Sequence, residues 1–259
     1  MKTILLSIAS VCLLVVAVQA ESDFEQGMNW YGKRSEGAQG FKAKAEPINN
    51  AIQYFEMAYN AKENELESGI YLMRSYIYKG RFVLEDNAAK REVFEKAKMV
   101  GEQLVPRYPK NKELRFENLT AVGLWGERLG IFKAASEGIA DRVKTEIETL
   151  VELDPEFRNA IGQRALGVLH LMAPKIPFIM TWPDDAYGLE LTKSVVTRYP
   201  NDIGNNFFYA QALVDNGKKK DAIPYLEKAL NMQPEAEYLL EDRHFHMRAK
   251  KLLKELTDS

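Results

Sequence analysis

DIGNNFFYAQALVDNGKKKDAIPYLEKALNMQP, residues 202–234, decides the fold. It reads as two short amphipathic helices folded back on each other. Asp202 is an N-cap, and Phe207, Phe208, Ala210, Ala212 and Leu213 give the first helix its apolar side. Asn216-Gly217 supplies the turn, because both residues tolerate positive φ. Ala222, Tyr225, Leu226, Ala229 and Leu230 then recur at helical spacing, and Pro234 closes the unit. Pro224 is read into the first turn of the second helix, where a missing N–H is tolerated.

This unit resembles a tetratricopeptide repeat, whose pattern is W-x2-L-G-x2-Y, then A-x3-F, then P. With Pro234 on the final proline, Tyr209-Ala210 takes the L-G pair, Leu213 the Y, and Ala222 with Leu226 the A-x3-F. Asn206 falls on the Trp slot, a departure from the pattern. The resemblance implies a scaffold with a binding surface and does not name what is bound.

Outward from this stretch the punctuation recurs. Arg107-Tyr108-Pro109 is echoed by Arg198-Tyr199-Pro200, and Leu153-Asp154-Pro155 by Met232-Gln233-Pro234, with prolines spaced by 46, 45 and 34 residues. The last spacing equals the tetratricopeptide period, so the two longer units carry extended helices or insertions. Upstream, stripes at Ile48–Ala58, Ile70–Ile77 and Val93–Leu104 predict three more helices. Two further helices are expected near Ala121–Leu129 and Ala134–Leu153, followed by one over Phe157–Met172 and one capped by Asp184 or Asp185. Between those two lies an insertion in which Pro174, Pro177 and Pro183 forbid a continuous helix. Glu237–Leu256 reads as the solvating cap helix that repeat arrays need. The expected architecture is all-α, with helical hairpins stacked as a right-handed superhelix over residues 44–256. Residues 21–43 read as an N-terminal arm on the first helices, because Gly27, Gly32, Gly37 and Gly40 oppose a strong helix.

Lys2, the apolar run Ile4–Val18 and Val18-Gln19-Ala20 read as a secretory signal, residues 1–20, cleaved after Ala20. The run is shorter than the roughly 20 residues of a membrane span, so no stable membrane insertion is expected after cleavage. The expected location is periplasmic or secreted. Cys12 is the sole cysteine and falls inside this run, so the core must hold the exported chain without disulfides. Charges nearly balance, with 35 Lys+Arg against 37 Asp+Glu, and no basic stripe points to nucleic acid. No nucleophile elbow, phosphate loop, dinucleotide fingerprint or zinc signature occurs, so no enzyme, cofactor or metal site is expected. His170 reads as a hydrogen-bonded core histidine, and His244 with His246, two apart, face different sides of a helix.

Binding candidates are therefore sought among aromatics and their polar neighbours. Phe178, Met180 and Trp182 in the proline-rich insertion either fill the core or line a cavity. Phe207, Gln211 and Val214 share one face of a first-of-pair helix, the face that lines the groove of stacked hairpins. One cleft between the insertion and this face, with Gln211 as its polar handle, is the expected site. Trp125 with Arg128 is a third candidate. The helix bearing Trp125-Gly126 and Leu129-Gly130, the Leu153-Asp154-Pro155 turn, Ala165-Leu166-Gly167 and the Pro174 loop into Leu189–Val196 resemble the T-component of TRAP transporters. Residues from about Pro155 onward are also similar to regulator-of-microtubule-dynamics repeat proteins. The first resemblance implies an exported scaffold for a protein partner, such as the solute-binding subunit of an uptake system. A periplasmic carrier of a small hydrophobic ligand is the alternative, and an envelope-assembly or structural factor the next.

Overall fold

Apolar residues at helical spacing build α1 (Asp23–Gly32), α2 (Ala45–Asn60), α3 (Glu65–Phe82), α4 (Asn87–Leu104), α5 (Lys112–Glu127) and α6 (Ile139–Leu153). They are followed by α7 (Phe157–Met172), α8 (Asp185–Arg198), α9 (Ile203–Asp215), α10 (Lys219–Asn231) and α11 (Leu239–Thr257). The structure, a computed structural model, describes residues 21–130, 133, 137–173 and 182–258. Successive helices pack against each other in chain order, and α3 also touches α5, α7 touches α9, and α9 touches α11. Odd-numbered helices thus form an inner layer and even-numbered helices an outer one. The chain is all-α, a stack of helical hairpins.

The expected caps form. Asp202 accepts from the Asn205 amide at 2.8 Å, and Asp184 accepts from Ala186 and Tyr187 at 2.9 and 3.1 Å. Asn206, the residue in the Trp slot, is fully buried and donates to the Pro200 and Asp202 carbonyls at 2.9 and 2.8 Å. The departure from the repeat pattern therefore ties the start of α9 to the turn before it. The recurrent Arg-Tyr-Pro stretches also do equivalent work. Arg107 pairs with Glu65 and Arg198 with Glu156, each across 42 residues from the end of one helix to an earlier one.

Three local readings change. Residues 23–32 are helical, closed at the start by a Ser22–Glu25 capping box. Gly27 serves that helix by letting it approach α2, since a Cβ there would lie 2.6 Å from the Phe55 ring. Second, α10 begins at Lys219, so Pro224 sits beyond the first turn and leaves one intrahelical bond unmade. Third, α11 is more than an end cap. Phe245, Leu252 and Leu253 pack on α9 and α10, whereas Leu240, 1% exposed, belongs to the core of α2–α5. The expected helix start at Ala134 lies outside the described residues.

Helix contacts are close enough to set the sign of a substitution. A Cβ on Gly80 would come within 2.3 Å of the Phe94 ring, which is fully buried. Helix propensity alone would make Gly80→Ala stabilising by about 1 kcal/mol. Overpacking between α3 and α4 should reverse that, giving a loss of about 1–3 kcal/mol in urea denaturation.

Candidate functional site

Because α11 folds back, the inner layer surrounds space. Arg34 donates to the carbonyls of Tyr31, at 3.1 Å, and Glu237, while Arg243 donates to the Gly40 carbonyl at 3.1 Å. His244 lies edge-on to Phe41, 5.6 Å between ring centres. These contacts lay the start of α11 across the concave groove and leave a half-open cavity of about 550 Å³ beneath it. Every helical residue lining it comes from α1, α3, α5, α7, α9 or α11.

Its wall is aromatic and charged. On α3, Tyr71, Arg74, Tyr78 and Arg81 share one face by their spacing of 3, 4 and 3. Arg74 donates through Nε to Glu117 Oε1 at 2.8 Å and through Nη2 to Glu113 Oε2 at 2.5 Å. Arg158 of α7 also pairs with Glu113, with Glu117 Oε1 at 3.8 Å from its Nη1. Burial works against the charge on Arg74, but the Glu117 carboxylate, through charge and hydrogen bond, holds its proton more tightly still. Across the cavity Arg164 donates to Asp202 at 3.0 Å and Asn205 at 2.8 Å.

The backbone is strained where α7 meets this wall. Arg158, Asn159 and Ala160 are consecutive left-handed residues, with φ of 46, 57 and 59°. Such a conformation costs L-residues about 1–2 kcal/mol each. Arg158 and Asn159 line the cavity, and the Asn159 amide donates to Asp202 at 3.1 Å.

The end of the cavity under α11 is different. Arg81 makes no hydrogen bond or ion pair among the described residues and lies over the Phe82 ring, 4.8 Å from its centre. Glu241 has no cation within ion-pair distance among the described residues. Burial pushes its carboxyl upward, against the pull of Arg81, of a hydrogen bond from its own backbone amide, and of Arg34. Burial likewise lowers the His244 imidazole to about 4, helped by Arg81 and Arg248. Asp242 is pushed up to about 6, chiefly by burial, with Glu235, Asp202 and Glu241 adding to the rise against its bond from the Glu235 amide.

Those residues singled out by sequence that the structure describes lie elsewhere. Trp182 donates through its indole to Asp141 of α6 at 2.7 Å and lies edge-on to His170 of α7, 5.4 Å between ring centres. Phe178 and Met180 lie outside the described residues. Phe207 is 1% exposed and packs on Phe208 and Phe245, with the Arg248 guanidinium 4.5 Å from its ring centre. Gln211 donates to Asp215 at 2.9 Å, and Val214 joins the same C-terminal cluster. The described contacts therefore do not bring Trp182 to Phe207 and Gln211. The inward face of α9 is covered by α11. Trp125 packs on the N-terminal core under Lys98, 4.9 Å from its ring centre, and Arg128 pairs with Glu127 over the Phe94 ring. His170 is buried and accepts from the Asp184 amide at 3.2 Å. Among the described residues no three His, Cys, Asp or Glu cluster to hold a metal ion.

No family model matches the chain, and no curated protein matches it. Among solved structures, it is similar to a thermophilic TPR protein of Thermus thermophilus, with a TM-score of 0.61 at 14% identity. The superposition covers 89% of this chain and 97% of that one. The fold is that of tetratricopeptide repeats. At this identity the likeness carries the fold alone. Residues the sequence reading missed, Arg74, Arg81, Glu117 and Glu241, are all charged; the 3-4-3 alternation of Tyr and Arg on α3 is a signal for the two arginines, and no comparable signal marks the two glutamates.

Asp242 provides a check on this electrostatic picture. Its folded pKa lies above the unfolded value of about 3.9, so its contribution to stability is lost as pH rises between the two. Asp242→Asn should therefore stabilise the protein at pH 8 by roughly 0.5–1 kcal/mol, allowing for the screening of a half-exposed group. The gain should fade toward pH 4, as read by thermal melts across that range.

Proposed function

We propose that the protein is an exported, non-enzymatic helical-repeat binding protein that holds a small ligand in the cavity beneath α11. The observation that carries this reading is the seating of Leu240 in the N-terminal core, which lays α11 over the groove. An extended peptide would need that groove open along its length. What remains is a space of about 550 Å³, the size of a small-molecule site. The mixed lining of tyrosines, arginines and carboxylates favours an amphipathic ligand over a purely hydrophobic one.

The repeat fold also supports a protein partner, which would dock on the outer surface and not in the groove. The resemblance to the T-component of TRAP transporters suggests the solute-binding subunit of an uptake system in that role. Export rests on the Ile4–Val18 run and Val18-Gln19-Ala20. Mass spectrometry of protein from its native envelope should find Glu21 at the N-terminus and no lipid on the chain.

Native mass spectrometry of the same material, compared with protein unfolded and refolded in clean buffer, tests the ligand. A small molecule bound one to one, lost on refolding and raising Tm when restored, is the expected result. Identical masses and melts, with a protein partner captured through even-numbered helices, would replace the carrier reading by a scaffold.

A further inference from the structure

Within the cavity the ionic groups divide into two sets. Arg74, Arg158 and Arg164 are satisfied by Glu113, Glu117 and Asp202. Arg81 and Glu241 have no ion pair among the described residues, and Glu241 is bonded only by its own backbone amide, although each lies within electrostatic range of the other. They stand on opposite walls, Arg81 near the end of α3 and Glu241 in the first turn of α11. Their separation exceeds ion-pair distance, and burial disfavours the charge on both. Arg34, beside them, spends its donors on the neutral carbonyls of Tyr31 and Glu237. A half-buried guanidinium and carboxylate across the same cavity, beyond ion-pair distance, lose part of their solvation and recover little attraction. A molecule bearing both charges, placed between them, would restore both partners at once.

Resting on the carrier reading above, we propose that the ligand is a small zwitterion of amino-acid type, its carboxylate on Arg81 and its ammonium on Glu241. The planar guanidinium matches a carboxylate in two-point contact, and Arg34 stands close enough to add to the local positive field. Tyr31, Tyr78 and Phe245 line the same cavity and offer an aromatic surface to the body of the ligand. The ligand would thereby bridge α3 and α11, the floor and roof of the site. Arg81 would recognise the acid, Glu241 would exclude plain anions, and the aromatic rings would favour an aromatic or large apolar side chain.

The test is calorimetric titration of the full mature protein, freed of ligand by refolding, with L-phenylalanine, L-leucine, 3-phenylpropionate and phenethylamine. The amino acids should bind, and the two compounds carrying a single charge should bind at least about tenfold more weakly. Arg81→Gln and Glu241→Gln should each weaken amino-acid binding at least about tenfold while leaving Tm of the free protein unchanged or higher. Retained Tm separates lost recognition from lost folding, and Arg81→Lys, which keeps the charge but not the fork, should recover only part of the affinity. Equal affinity for 3-phenylpropionate, or a Glu241→Gln variant with wild-type binding, would overturn the zwitterion and leave a simple anion site. If none of the four probes binds while the native protein still carries another small molecule, the proposal fails and the carrier reading stands. If the native protein carries no small molecule and none of the probes binds, both fail.

Discussion

The burial of one leucine far from its chain neighbours organises the structure. Leu240 leaves the C-terminal hairpins and fills the core of α2–α5, so α11 must cross the interior of the stack to deliver it. A leucine side chain withdrawn from water contributes roughly 1.5–3 kcal/mol, and the contacts of Arg34 and Arg243 fix the angle of approach. From that crossing follow the roofed cavity, the covering of Phe207, and the desolvation of Glu241 and His244. A stack of hairpins without it would present an open groove.

The charged wall explains how such an interior can remain polar. Glu117 is 5% exposed and serves two arginines from different helices, Arg74 and Arg158. Removing one member of such a set leaves an uncompensated buried charge, a loss of about 3–5 kcal/mol, so the members hold one another in place. The three left-handed residues at the start of α7 fit the same logic. Their unfavourable backbone persists where the surrounding pairs over-determine it, and here those pairs involve Glu113, Glu117 and Asp202.

Local chemistry made most of the fold legible. Helical spacing gave Ile48, Ala51, Ile52, Phe55 and Ala58 of α2 as one buried stripe, and the caps Asp184 and Asp202 could be read from single residues. Gly27 misled because its reason for being glycine is the ring of Phe55 on another helix, a contact absent from any local window. Pro224 misled by a few residues because helix starts are set weakly by sequence. The site was the least legible part. Binding candidates were sought among aromatic residues and their polar neighbours, yet the wall is built from ionic groups whose partners are about 40 positions away. Nothing near Glu241 in sequence reveals that α11 carries it into the interior.

The outer ion pairs carry a consequence of a different kind. A shift of 91 positions carries Glu65 onto Glu156, Arg107 onto Arg198, Tyr108 onto Tyr199 and Pro109 onto Pro200. The same shift carries Arg74 onto Ala165, Arg81 onto Met172 and Glu117 onto Phe208. The outer fastening thus recurs at a fixed interval of 91 residues, while these three interior charges have no charged counterpart at that interval.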